Sequence, residues 1–334
     1  MLKVLVVDDS AFMRKVITKI VDSDPDLTVV GSAFDGLNAL KKIKELDPDV
    51  ITLDVNMPRM DGLTTLKEIM KTNPKPVVMV SATTKEGAET TFKALRLGAV
   101  DYIQKPSGQI SLDIEKVRNE LVEKIKTAAE ANLVTHEHET YSPIKIKQEI
   151  AEKIITIGAS TGGPPAVEEV LVHLPENSPP ILIVQHMPKG FTKLFAERLD
   201  KLCSFQVKEA EKGDKIEHGL TLIAPAGQHM TVSGNGRIKL DKGPSIHGVR
   251  PAVDPMMKTA ARVFQDQVIG VILTGMGRDG SWGMKAIKEK GGKTIAQNKK
   301  TCTVYGMPKI AIEEGNVDKI LPITKIPQQI IKWC

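Results

Sequence analysis

The sequence predicts an α/β protein built from two doubly wound, mainly parallel-sheet domains in tandem. Three observations predict it. Short apolar runs alternate with helical stretches in both halves, as repeated βα units require. The length of 334 residues is that of about two ordinary domains. Near the middle, a stretch of mixed charge without a strong period, ANLVTHEHETYSPIKIKQEIA (131–151), interrupts the pattern and reads as a linker. The expected organisation is a first domain over 1–125, a linker over 126–151 and a second domain over 152–334.

Each element of the first half follows from its own pattern. KVLVVDD (3–9) is a short apolar run, and residues 10–23 place Phe12, Met13, Val16, Ile17 and Ile20 at helical spacing. LTVVGSAF (27–34), a helix 36–46, DVITLD (49–54) and a helix after Asp61-Gly62 continue the alternation. PVVMVSA (76–82), a helix near 85–97, AVDYIQK (99–105) and a helix from about 112 to 130 complete it. Strands alternating with helices imply a parallel sheet.

The second half resumes with KIITIGAS (153–160), a Pro-led helix, PPILIVQH (179–186) and a helix 190–202. FQVKEA (205–210) and LTLIAPAG (220–227) follow. Around Ser233-Gly234-Asn235-Gly236-Arg237 the flanks HMTV and IKL predict a β-hairpin. A helix near 254–265, QVIGVILTG (267–275), a helix 281–290, KTIAQN (293–298) and short helices reach the end.

Composition narrows the function classes. No apolar run approaches the eighteen or so residues that cross a bilayer, and MLKVLVVDDS meets two aspartates before a signal sequence could form. Cys203, Cys302 and Cys334 are odd in number and widely spaced, which predicts neither a disulfide framework nor a thiolate metal site. A reducing cytoplasm without membrane insertion is the expected setting. The net charge of +5 lies unevenly: 15 basic against 15 acidic residues over 1–105, 6 against 8 over 106–150, and 25 against 18, or +7, over 151–334. With two Trp and three Tyr the chain lacks the basic-aromatic surface of a nucleic-acid binder, so an acidic protein surface is the expected partner.

In open parallel sheets ligands gather at the carboxyl ends of the strands. In the first half those ends carry Asp8 and Asp9, Asp54, Ser81 and Lys105. Converging carboxylates repel one another unless a hard divalent cation lies between them, and an all-oxygen set suits Mg²⁺. Any one of these residues alone is an ordinary turn residue; together they form a pattern. VLVVDDS, TLDVNMPRMDG, VSA and QKP over residues 1–125 resemble the receiver domain of two-component response regulators. The resemblance implies a flavodoxin-like fold with Asp54 as phosphoacceptor. It implies Mg²⁺ held by Asp8 or Asp9 or both, together with Asp54 and the Asn56 carbonyl, with Ser81 and Lys105 touching the phosphoryl oxygens. It also implies a cis Lys105-Pro106 peptide.

In the second half Gly158-Ala159-Ser160-Thr161-Gly162 follows a strand and precedes Gly163-Pro164-Pro165, a suitable helix opening. A serine on such a turn is exposed beside backbone amides that can hold an oxyanion. Among seven His, His186 is the one that ends an apolar strand: His136 and His138 fall in the linker, His173 in a helix, and His218, His229 and His247 in loop or hairpin contexts. The same test selects Asp279, after VIGVILTGMGR. Nucleophile, base and orienting acid thus fall at strand ends of one sheet. The order Ser, His, Asp differs from that of α/β-hydrolases, which would need something like Asp214 with His229. Gly275-Met276-Gly277-Arg278-Asp279-Gly280 also fits a dinucleotide fingerprint, but the next strand ends in Gln297-Asn298 instead of an acidic ribose ligand.

IGASTGG, QHMP and LTGMGRDG resemble the catalytic domain of chemotaxis protein-glutamate methylesterases, so the two resemblances together cover nearly the whole chain. They imply a serine hydrolase with Ser160 as nucleophile, His186 as base, Asp279 as its orienter and the Met276 N–H, aided by Thr161, at the oxyanion. The implied substrates are methylated glutamates, and glutamines, on methyl-accepting chemoreceptors, with a chemotaxis histidine kinase as phosphodonor and no cofactor in the esterase domain. A binding module that docks without chemistry is the competing reading; a transcription factor would need a basic recognition helix that the second half does not offer. Phosphorylation is expected to control the output, by uncovering Ser160 as Ser81 moves toward phosphoryl-Asp54 and Tyr102 reports the change.

Overall fold

The structure is a computed structural model that describes residues 1–81, 85–105, 113–133, 144 and 152–334. Much of the expected linker, including His136 and His138, lies outside the described residues, as does Pro106 of the expected cis peptide. The chain divides into two units, Met1–Glu137 and His138–Cys334.

The first unit alternates β1 (Leu2–Val7), α1 (Ala11–Val21), β2 (Leu27–Ala33), α2 (Gly36–Leu46), β3 (Val50–Asp54), α3 (Gly62–Thr72), β4 (Val77–Ser81), α4 (Lys85–Arg96), β5 (Asp101–Gln104) and α5 (Asp113–Ala129). Its strands lie in the order β2-β1-β3-β4-β5, all parallel. This is the flavodoxin-like order, and its reversal point falls between β1 and β3. β3 and β4 are buried along their whole length, which is why VITLD and VVMVS read as continuous runs instead of alternating ones. α1, α2 and α3 start where the sequence supplies a side-chain cap: Ser10, Asp35 and Asp61 accept from the amides of Met13, Asn38 and Thr64.

The second unit runs β6 (Ile154–Ala159), α6 (Gly163–Leu171), β7 (Ile181–Gln185), α7 (Phe191–Leu202), β8 (Gln206–Glu209) and β9 (Leu220–Ile223). The hairpin strands β10 (His229–Val232) and β11 (Ile238–Asp241) follow, then α8 (Val253–Phe264), β12 (Val268–Ile272), α9 (Ser281–Glu289), β13 (Lys293–Gln297), α10 (Met307–Glu313), β14 (Lys319–Leu321) and α11 (Ile326–Trp333). Seven strands form one parallel sheet, β14-β13-β12-β6-β7-β9-β8. Its order reverses at β6, with β7 on one side and β12 on the other. β10 and β11 pair antiparallel around the expected turn and dock on α8, where the Val232 amide donates to Thr259 Oγ1 at 2.9 Å. β14 was not expected: three residues with two exposed side chains leave no period to read.

The core of this unit packs Leu182, Val184 and Leu222 from the sheet against Met256, Met257 and Met284 from α8 and α9. On α7, Phe191 and Phe195 are each 1% exposed. Truncating Phe195 to Ala removes a buried ring from a close-packed interior and should cost about 3–5 kcal/mol, read as a lower urea midpoint with the fold retained.

Candidate functional site

The acidic cluster of the first unit sits at the reversal point. Asp8 follows β1 and Asp54 ends β3, and both are essentially buried. Lys105 Nζ lies 3.0 Å from Asp8 Oδ2 and 2.7 Å from Asp54 Oδ2. Burial, and after it the Lys105 hydrogen bond working the other way and the Asp8 charge, leave the Asp54 carboxyl above its ordinary range. Burial pulls Lys105 down, but Asp54 and Asp8 outweigh it and hold the ammonium charged. Carboxylate oxygens of Asp8, Asp9 and Asp54 lie within 4.8 Å of one another. Each buried Oδ2 of Asp8 and Asp54 meets Lys105 Nζ and no other hydrogen-bond donor among the described residues, so oxygen lone pairs remain for a hard cation. The Asn56 amide approaches Asp54 Oδ1 at 3.4 Å.

Ser81 ends β4 fully buried, its hydroxyl donating to the Gly87 carbonyl at 3.2 Å and accepting from Thr91 Oγ1 at 3.0 Å. Thr91 is a partner that sequence reading missed, since a threonine inside a helix gives no signal of its own. Tyr102 is 3% exposed, with Lys124 Nζ 5.1 Å from its ring centroid. Gly62 is required where it stands: a β-carbon there would lie 2.1 Å from the Asp54 carbonyl oxygen.

In the second unit the sheet register sets Ser160 beside His186. Ala159 pairs with Gln185, and the His186 amide donates to the Ala159 carbonyl at 3.2 Å. Ser160 and His186 are therefore the next residues on two adjacent strands. The Gln185 side chain ties their backbones together, its Nε2 donating to the Ser160 carbonyl at 2.9 Å and to the His186 carbonyl at 3.1 Å. Gly163 makes room for this amide, because a β-carbon there would fall 1.9 Å from Gln185 Oε1. Gln185 is 1% exposed and ends a fully buried strand, which hides its role from periodicity.

Asp279 reaches the imidazole from the far side of β6. His186 Nε2 is 2.9 Å from Asp279 Oδ2, which leaves Nδ1 as the ring nitrogen available for a proton. The carboxylate also accepts from the Val253 amide at 2.7 Å and the Asp254 amide at 3.1 Å, at the N-terminus of α8. Burial raises the Asp279 carboxyl, but the His186 hydrogen bond and charge and the two amides outweigh it, and the net direction is down. The ion is thereby fixed as an acceptor.

The loop after β12 closes the site. The Ser160 amide donates to the Thr274 carbonyl at 3.0 Å, and a β-carbon on Gly275 would lie 2.7 Å from Ser160 Cβ. The Gly275 carbonyl accepts from the Met307 amide at 2.8 Å, which pins the peptide just before Met276. Met276 is 42% exposed, whereas Thr161 is buried and takes the Thr274 hydroxyl on its carbonyl at 3.0 Å. The alternative pair does not form: His229 bonds the Pro244 carbonyl and the Ala252 amide, while Asp214 bonds Lys208 and the Glu211 amide.

Comparison with known proteins finds relatives of both halves of the chain. The CheB methylesterase family model matches residues 155–330, and the response regulator receiver domain model matches residues 4–115. A Pyrococcus horikoshii protein named protein-glutamate methylesterase/protein-glutamine glutaminase is 50% identical, the match covering 99% of this chain and 93% of the relative. One of the same name from Thermotoga maritima is 48% identical over 99% of this chain and 98% of its own. The crystal structure of the Thermotoga maritima CheB methylesterase catalytic domain aligns with a TM-score of 0.54 at 46% identity, covering 55% of this chain and 100% of that one.

The geometry around Ser160 generates a direct chemical expectation. A fluorophosphonate should form one adduct per chain, mapped by mass spectrometry to the peptide holding Ser160. Gly275→Ala, which forces a methyl group against Ser160, should slow that labelling at least about tenfold. An adduct on another serine would remove Ser160 as the nucleophile.

Proposed function

Since this chain belongs to the CheB methylesterase family and joins that domain to a response regulator receiver, we propose that it is a protein-glutamate methylesterase controlled by phosphorylation. Its substrates are γ-glutamyl methyl esters on the cytoplasmic helices of methyl-accepting chemoreceptors, and glutamines at such positions are deamidated by the same route. The observation that carries the reading is the 2.9 Å His186–Asp279 contact at the end of the strand adjoining Ser160. We assign residues 1–125 to the receiver, 126–151 to the linker and 152–334 to the catalytic domain.

Ser160 Oγ attacks the ester carbonyl while His186 Nδ1 takes the hydroxyl proton. Asp279 holds the ring in the tautomer with a proton on Nε2 and stabilises the imidazolium that forms. The negative charge on the carbonyl oxygen falls to the Met276 N–H, with Thr161 beside it. Collapse breaks the bond to the methoxy group, which leaves as methanol with the proton from His186. Water, deprotonated by His186, then releases the glutamate from Ser160. For glutamine the first leaving group is ammonia.

In the receiver, Asp54 accepts a phosphoryl group from the chemotaxis histidine kinase. Asp8, Asp9, Asp54 and the Asn56 carbonyl would hold a Mg²⁺ ion, which would supply charge neutralisation there. Lys105, already paired with Asp54, and Ser81 contact the phosphoryl oxygens. Ser81 bonds Gly87 and Thr91 here, so its hydroxyl must exchange those partners for phosphate. No described helix is long and apolar enough to cross a membrane. The +7 charge of residues 151–334 suits a glutamate-lined substrate helix, and the cytoplasm is where receptor tails and kinase meet.

Methanol release from methylated receptors tests the reading. Ser160→Ala should lose at least about a thousandfold in rate, and Asp279→Asn should retain roughly ten to a hundred times more activity than that variant. Full activity in Ser160→Ala would refute the mechanism. Acetyl phosphate with Mg²⁺ should add one acid-labile phosphoryl group to the parent chain and speed methanol release. Asp54→Asn should show neither response; stoichiometric phosphorylation of that variant places the acceptor elsewhere.

A further inference from the structure

Behind Asp279 lies a second imidazole–carboxylate pair for which the hydrolytic steps have no use. His247 Nε2 is 3.0 Å from Asp254 Oδ2, and ligand atoms of His247, Asp254 and Asp279 all lie within 4.8 Å of one another. Asp254 is 1% exposed, and its Oδ1 accepts from the Gly283 amide at 2.6 Å.

His247 reaches this position at a backbone cost. Ile246 and Val249 exchange two backbone hydrogen bonds, of 3.1 and 3.0 Å, around a two-residue turn. Its central residues, His247 and Gly248, have φ of 53° and 79°. Two consecutive left-handed residues favour Gly, Asn, Asp and His over other residues, so the turn tolerates a histidine without requiring one. What its ring does is close on Asp254 and pack on Trp282, with centroids 4.8 Å apart and planes tilted by 57°.

Two buried carboxylates this close need compensation. Burial first, then the charge of Asp279, hold the Asp254 carboxyl above its ordinary range. The charged groups facing the cluster come from several elements. They are His186 after β7, His247 itself, Lys258 on α8, and Arg278 before α9. Lys258 and Arg278 lie 4.7 and 5.3 Å from the Trp282 centroid, and Arg278 is paired with Glu314 at 2.8 Å. A metal ion fits poorly, because each of the four carboxylate oxygens already has an N–H partner: His186 and Val253 on one, and Asp254, Gly283 and His247 on the others.

We propose that His247 and Asp254 are positioning residues whose shared proton sets the charge beside Asp279, and through it the basicity of His186; this rests on the hydrolytic reading above. With one proton between imidazole and carboxylate the pair is neutral, whichever atom holds it, and Asp279 is the single net anion facing His186. Without that proton the pair carries one negative charge, favours the imidazolium form of His186 and withdraws the base from the reaction.

The test is the pH dependence of kcat/KM for hydrolysis of p-nitrophenyl acetate by the full chain. His247→Asn suits the turn but leaves Asp254 an uncompensated anion, so the acid limb should rise by about one pH unit, the order expected for a unit charge several ångströms away. Asp254→Asn keeps an acceptor for Gly283 and removes the carboxylate, which leaves the proton of the neutral pair on His247 as an unbalanced imidazolium charge, so the limb should fall by a similar amount. Combining the two restores a neutral pair and should return the limb to near its parental position. A purely structural pair would lower kcat/KM in all three variants without moving the limbs in opposite directions. Limbs that stay in place, or move together, in variants matching the parent in circular dichroism and Tm overturn the proposal. Should His247→Asn fail to fold, the direction of the Asp254→Asn shift decides. Hydrolysis unaffected by Ser160→Ala would instead overturn the reading on which the proposal rests.

Discussion

The carboxylate of Asp279 is the fixed point of the catalytic half. It is nearly buried, yet two amides at the start of α8 and the His186 ring stabilise its charge, so the loop after β12, the first turn of α8 and the end of β7 must meet at one place. Much of the surrounding sequence serves that meeting. Gly275 lets the loop pass against Ser160, and Gly280, with φ of 93°, turns the chain into α9 where a side chain would strike Ile272. Weakening the amide cradle would leave an ion in a dry site with half its partners, a costlier loss than that of the hydrogen bonds themselves.

Both units solve the same topological problem in the same way. A parallel sheet whose strand order reverses opens a crevice at the strand ends, and here one crevice collects carboxylates and a lysine while the other collects a serine, an imidazole and an acid. The electrostatic demands differ. In the receiver, negative charge is concentrated ahead of need, so that Asp54 is destabilised as an anion and only partly relieved by Lys105. In the esterase, one negative charge is fully satisfied and used to hold an imidazole.

Much of this was legible in the sequence because strand ends are. Apolar runs that stop at Asp54, Ser81, Lys105, Ser160 and His186 carry their own punctuation, and Asp279 was found by the same test. What escaped falls into three physical classes. Gln185 and Thr274 act through hydrogen bonds to distant backbone and Thr91 through one to the Ser81 hydroxyl, and nothing local distinguishes them from filler in a buried strand or helix. His247 reads as a loop histidine because its partner comes from another element, and its left-handed φ cannot be read from residue type. The edge strand Lys319–Leu321 was missed because it takes its hydrogen bonds from β13 and has no apolar face of its own.

Ser160 and His186 immediately follow residues paired across β6 and β7, and one buried amide clamps both carbonyls. Ser160 and His186 are therefore indexed to the sheet register instead of to any loop. Insertions and deletions between α7 and α8, where the hairpin lies, leave that index untouched, so homologues are free to vary this region in length. A single-residue insertion within either strand would shift one partner by a full strand step of about 3.3 Å and turn its side chain to the opposite face. The lineage can thus remodel what surrounds the site far more readily than it can adjust the spacing at its centre.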